Sequence, residues 1–250
     1  MKNVLLLFIL LITSNINSKA ADFDSLLVKS VIKELRIPMA KIKEEYIRTK
    51  PMPNDRTKTI VSIPVMARED DDDYSFVMDA YILVVESGTG KILQKYHEKG
   101  YWESDAVRLD DIGIDTAPYR LNKDTRAFGI TGQHVGHSGP NPYNEQTISL
   151  FVISGNSLIK VVDKLLLERY NGEWDMNCAG IFKNLKTIIS VSPDKTNGYA
   201  DLIINSKTIT TETFKKGEEC EEIIVQKKPH KSILKFNKES YPVKTAEIRY

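Results

Sequence analysis

Of the 250 residues only two are tryptophan, two are cysteine and four are histidine, and neither charge sign is in real excess, with 35 Lys and Arg against 34 Asp and Glu. Each scarcity removes a class of function. The balance of charge argues against a nucleic-acid partner, which calls for a basic surplus to neutralise phosphates. With few histidines and no H-E-x-x-H, a helical zinc-peptidase site is not written here. There is no G-x-S-x-G elbow for a nucleophilic serine. "SGTGK", Ser87 to Lys91, has neither the spacing of a Walker loop nor a helix-forming continuation, so a phosphate cradle is not supported. No cofactor motif is present, and no N-x-Ser/Thr sequon occurs, which tilts the chain toward a bacterial exported protein.

Long apolar runs are also missing, apart from one at the start. Val4 to Ile12 form nine consecutive apolar residues behind Lys2, and Ser18-Lys19-Ala20 supplies small residues for a cleavage site. That is the layout of a secretory signal peptide over residues 1–20. The run is too short for a membrane span, which takes roughly 20 residues. Removal of residues 1–20 takes away Lys2 and Lys19 and no acid, leaving 33 basic and 34 acidic side chains. The expected location is the periplasm or the exterior, with no transmembrane segment after cleavage.

What is present is mostly strand. Phe23, Leu27, Val31 and Leu35 repeat every four residues, with Asp24 or Ser25 as cap and Pro38 as stop, which predicts a helical segment over residues 21–41. From residue 42 to 250 short runs rich in Val, Ile and aromatics alternate with turn residues, including "TIVSIPVMA", "YSFVMDAYILVVE" and "TISLFVIS". Ser87-Gly88-Thr89-Gly90, Gly155-Asn156 and Asn171-Gly172 read as hairpin turns. Residues 157–170 also fit a helical face through Leu158, Val162, Leu165 and Leu166, but the flanking turns favour two strands. With no βαβ rhythm, the expectation is one all-β, mainly antiparallel domain with an N-terminal helix, laid out as a sandwich or a small propeller. The lack of a fixed-period repeat counts against the propeller.

Cys178 and Cys220 lie among acids, with Glu173 and Asp175 before the first and "GEECEE" around the second, a setting that disfavours a thiolate nucleophile. In an oxidising compartment such a pair is expected to form one disulfide.

The most conspicuous polar stretch is "TGQHVGHSGPNPYNEQT", Thr131 to Thr147. Its glycines and prolines predict a long loop between strands, the kind of place where recognition sits. His134, His137 and Tyr143 are therefore the candidate contact residues. A zinc site on His134 and His137, with Glu145 or Asp124 as third ligand, is the alternative. The acidic run Asp70 to Asp73 and the segment Asp194, Asn197, Asp201 in "DKTNGYADLII" are conceivable calcium ligands, although neither has a full ligand spacing. Trp102 and Trp174 with Tyr101 and Tyr170 fit a core or a sugar-stacking platform. Asp110, Asp111 and Asp115, and Ser138 beside His137, carry no specific catalytic pattern, so no catalytic residue is assigned.

At "ESDAVRLDDIGIDTAPYRL" and "NGEWDMNCAG" the chain resembles a group of uncharacterised, secreted, β-rich proteins of Gram-negative bacteria, over roughly residues 75–225. The resemblance implies an exported β-rich protein and brings no activity or cofactor. The combined expectation is a non-enzymatic binding or structural protein of the envelope, with a protein or an envelope polymer as partner. The alternatives are an envelope hydrolase built on the His134/His137 loop and a calcium-stabilised propeller-type module.

Overall fold

The first described residue, Asp24, caps an eleven-residue helix. Its carboxylate accepts from the backbone N–H groups of Leu26 and Leu27, each at 3.1 Å, satisfying two of the helix's unpaired donors. Helix α1 (Ser25–Leu35) ends at Arg36, which takes a left-handed conformation with φ of 56°, so the stop comes before Pro38. This computed structural model describes residues 24–69 and 75–243. The signal-peptide region, Phe23 and the acidic run Asp70 to Asp73 lie outside those described residues.

Among the described residues twelve strands follow: β1 (Arg48–Met52), β2 (Asp55–Glu69), β3 (Phe76–Glu86), β4 (Ile92–Ser104), β5 (Val107–Arg120), β6 (Arg126–Gly136), β7 (Tyr143–Ser154), β8 (Ser157–Trp174), β9 (Gly180–Thr196), β10 (Tyr199–Lys216), β11 (Glu219–Gln226) and β12 (His230–Leu234). β1 to β4 and β5 to β8 are two antiparallel meanders, and they enclose one core. Phe76, Met78, Ala80, Ile82 and Val84 of β3 meet Leu109 and Ile112 of β5, Phe128 and Ile130 of β6 and Phe151 of β7 there. The meanders join at two seams, making a nearly closed barrel. At one seam β4 and β8 share a single parallel bridge, Lys95 with Ser157. At the other, side chains from β1 and the segment before it reach β5. The Tyr46 hydroxyl donates to Leu109 O at 2.8 Å, Lys50 Nζ donates to Ile114 O at 3.0 Å, and Arg48 pairs with Asp111.

Both faces of the barrel wall are covered in places, which is why the strand runs of the sequence are continuous rather than alternating. Leu83 and Val85, the outward residues of β3, pack with Val61 and Ile63 against Leu27, Val28, Val31 and Ile32 of α1. Ile148, Leu150 and Val152 of β7 face Leu202 and Ile204 of β10, Leu234 of β12 and Phe236 and Tyr241 beyond it. That outer sheet grows from the far half of β8, which pairs with β9, and continues through β10 to β11 and β12.

The all-β, antiparallel expectation with one N-terminal helix is met. The propeller layout is not: the described strands form one connected sheet wrapped into a barrel, without blades. Residues 157–170 belong to one strand rather than two. Two register shifts against β7 change the side-chain phase, one between Lys160 and Val162 and one between Val162 and Leu165, where Lys164 has φ of 41°, so Leu158 joins the barrel core while Val162 and Leu165 join the outer one. The helix-like spacing of these residues is the trace of those bulges. Asn171-Gly172 is likewise no turn. Gly172 sits inside β8 opposite Phe182, and a Cβ there would come within 2.5 Å of the Phe182 ring, so glycine is needed for close approach.

Cys178 and Cys220 are joined in a disulfide, with Cα atoms 5.5 Å apart and 42 positions apart in sequence. It ties the β8–β9 connection to the start of β11. Among the described residues no helix is long and apolar enough to cross a membrane.

Candidate functional site

The β4–β8 seam is where the backbone ladder stops and side chains take over. Lys160 Nζ reaches Glu98 Oε2 and Asp163 Oδ1, each at 2.7 Å, and the Tyr96 hydroxyl also donates to Glu98. Burial pushes the Lys160 ammonium down in pKa, but its hydrogen bonds to Asp163 and Glu98 outweigh that and the net shift is upward. Ser149, only 1% exposed, accepts from the Tyr101 hydroxyl at 2.6 Å and from Lys164 N at 2.9 Å. The left-handed turn at Lys164 aims its backbone N–H at Ser149, while its ammonium donates to Tyr101 O at 2.7 Å and stands 4.7 Å above the Tyr101 ring. Burial raises the Tyr101 pKa, outweighing the opposing effect of its hydrogen bond with Ser149.

Beside this network opens a cleft of about 480 Å³, whose walls include Trp102, Glu103, His134, Tyr143, Glu145, Asp163, Lys164 and Arg169. Glu145 is held from two sides. The Tyr143 hydroxyl donates to its Oε2 at 2.7 Å, and Arg169 Nε donates to the same oxygen at 2.8 Å while its Nη2 closes the ion pair. Burial, reinforced by the bond to Glu145, pushes the Tyr143 phenol up to about 12. A carboxylate so engaged is poorly placed to act as a general base.

Two buried polar atoms on wall residues have no partner among the described residues. His134 Nε2 lies 3.1 Å from Glu103 O, an acceptor, so Nε2 carries the proton and Nδ1 of the neutral ring is an acceptor. That Nδ1 is buried and has no partner among the described residues; neither has Trp102 Nε1, a donor on a side chain 3% exposed. Native structures leave few buried polar atoms unpaired, and such atoms ask for an explanation. Both side chains line the same cleft, with the two atoms themselves closed to solvent.

The structure therefore brings His134 and Tyr143 together but not in a loop. The connection is only residues 137–142; His134 belongs to β6, paired with Glu145 of β7, and Tyr143 begins β7. The long loop expected over 131–147 is a correction: Gly132 and Gly136, read as turn formers, are strand residues packed against Trp102 and Tyr143. His137 is exposed and does not line the cleft. Among the described residues no three His, Cys, Asp or Glu side chains gather into a metal-binding group. Asn197 and Gly198 form the turn between β9 and β10, both with positive φ, and the Asn197 amide donates to Phe236 O at 2.7 Å. Asp201 is buried in β10 and Asp194 is exposed on β9, one on each side of this hairpin turn. The aromatics divide: Tyr101 and Trp102 pack edge to face at the cleft, whereas Tyr170 stacks on Phe182 in the outer sheet.

Comparison with known proteins yields no relative: no protein-family model, no curated protein and no solved structure matches the chain.

Sequence reasoning missed Ser149, Lys164 and Arg169. No local signal marks them, because their roles come from a bulge in β8 and from the approach of β4, some 60 residues away in sequence from Lys164.

Proposed function

We propose that this is an exported, non-enzymatic binding protein of the bacterial envelope whose cleft takes a hydroxyl-rich ligand, the carbohydrate part of an envelope polymer. The observation that carries the reading is a pair of buried polar atoms without a partner among the described residues, the Trp102 indole N–H and His134 Nδ1, on two side chains that line the cleft. A hydroxyl both donates and accepts, so a ligand rich in hydroxyls can serve both kinds of group once a shift of either side chain opens the atom to the cleft. The remaining wall suits the same chemistry. Glu103, Asp105 and Asp163 offer acceptors for sugar hydroxyls, and Tyr101, Trp102 and Tyr143 offer aromatic surface. Export is supported by the signal-like residues 1–20 and by the disulfide, a bond that persists in oxidising compartments.

Titration of the purified protein with soluble peptidoglycan fragments and envelope polysaccharides, followed by calorimetry, tests it. Trp102→Phe keeps an aromatic body and deletes the donor, and should weaken binding about tenfold, the equivalent of one net hydrogen bond. Absence of binding to every such glycan, or binding indifferent to Trp102→Phe and His134→Ala, would rule the reading out.

A further inference from the structure

We propose that two copies of this chain associate through β11, edge to edge and antiparallel, so that the outer sheet runs continuously across a two-fold axis centred on Ile224. The observation is an exposed edge whose sequence is complementary to itself. Among the described residues β11 pairs only with β10, and all eight of its residues are exposed. Its middle, Ile223, Ile224 and Val225, is 51%, 61% and 54% exposed. A bare apolar edge of this kind is a template for another strand, and proteins that need no partner usually blunt it.

The ladder to β10 decides which backbone groups remain. Glu221 lies opposite Phe214, Ile223 opposite Glu212 and Val225 opposite Thr210, and Lys227 N donates to Thr208 O at 3.1 Å. In an antiparallel pair hydrogen-bonded residues alternate, so the odd-numbered residues of β11 bond to β10. The N–H and C=O groups of Glu222, Ile224 and Gln226 therefore point away from the sheet, toward whatever lies beyond the edge.

The occupant follows from the charge pattern. From Glu221 to Lys227 the strand reads Glu-Glu-Ile-Ile-Val-Gln-Lys, acidic at one end, apolar in the centre and basic at the other. With a second copy laid antiparallel about Ile224, Ile224 opposes itself once on the axis, and Ile223 opposes Val225, Glu222 opposes Gln226 and Glu221 opposes Lys227, these three twice each by symmetry. The even-numbered residues then form the hydrogen-bonded pairs, as their free backbone groups require. A parallel arrangement sets Glu on Glu and Lys on Lys. Within one chain Glu221 already meets Lys216 at 2.9 Å, so the partner's lysine would add a second cation to a carboxylate held in place. Such a contact is isologous, the same patch used by both subunits. It involves none of the cleft residues and stands independently of the ligand.

Sedimentation of the processed, disulfide-intact chain over a range of concentrations should show two chains, dissociating to one on dilution. Ile224→Pro removes an outward N–H that the ladder to β10 does not use, and should raise the dissociation constant at least roughly tenfold with an unchanged circular dichroism spectrum. Glu221→Lys and Lys227→Glu each place like charges opposite one another and should each be monomeric alone. Mixed together, they should recover a heterodimer, since each then meets its opposite. This mixing arm holds even if the proline variant misfolds. A wild-type chain that stays monomeric, a dimer untouched by Ile224→Pro in a folded variant, or charge variants that do not rescue each other would overturn the proposal.

Discussion

Gly132 of β6 lies against the indole of Trp102 from β4, so close that a Cβ on Gly132 would stand 2.5 Å from Cζ3 of the ring. The contact crosses the barrel interior and sets where the indole, and hence its free N–H, sits in the cleft wall. Gly132→Ala should therefore push Trp102 out of place. Overpacking of this kind costs about 1–3 kcal/mol. We expect a lower melting temperature together with a shift in tryptophan fluorescence and weaker glycan binding. An unshifted emission spectrum would show that the ring is not held by this glycine.

Ser149 is the hub of the seam. Replacement by alanine removes the acceptor of two buried donors, the Tyr101 hydroxyl and the Lys164 backbone N–H. Each orphaned donor costs about 1–3 kcal/mol, so Ser149→Ala should lose on the order of 2–4 kcal/mol in denaturant unfolding. Ser149→Thr retains the hydroxyl and should lose less, unless its extra methyl meets the barrel core.

The disulfide closes a 42-residue span. The chain-entropy relation puts its effect at about 4 kcal/mol at most, and native strain lowers the measured value. Reduction, or Cys220→Ser with Cys178→Ser, should lower the melting temperature. Hydrogen exchange should rise first in β11 and the distal half of β10, which have little buried apolar surface of their own. An equal rise across β3 and β7 would contradict this placement.

Alkaline pH should destabilise the fold. The Tyr46 and Tyr143 phenols are each pushed from 10.0 up to about 12, in both cases first by burial, and those of Tyr96, Tyr119 and Tyr241 are also raised. A raised pKa means that the folded chain holds the proton more tightly than the unfolded one. The stability it confers is complete below pH 10 and drains away as pH climbs through about 12. Unfolding free energy measured against pH should be flat up to about 10 and fall beyond it, with tyrosinate absorbance appearing together with unfolding. Early tyrosinate absorbance from a folded chain would contradict the burial of these rings.

Much of the fold was legible in the primary structure because it is local. The Asp24 cap, the apolar stripe of α1, the Gly155-Asn156 turn and the valine- and isoleucine-rich strands act within a few residues of themselves, and short-range sterics and periodicity suffice to place them. The cysteine pair was legible for another reason: with two cysteines there is only one intramolecular bridge to make.

The rest was decided by pairing over long distances. Whether the strands make a sandwich, a propeller or a barrel depends on which edges meet, and the seams are set by contacts such as Lys160 with Glu98 and Tyr46 with Leu109. The glycines at 132 and 172 carry the same local signal as turn glycines, yet serve as room for Trp102 and Phe182 that arrive from other strands. His134 looked like a loop residue for the same reason. Only the tertiary structure could put the His134 and Trp102 side chains in one cleft, because they come from strands 32 positions apart whose approach is dictated by the packing of the barrel core.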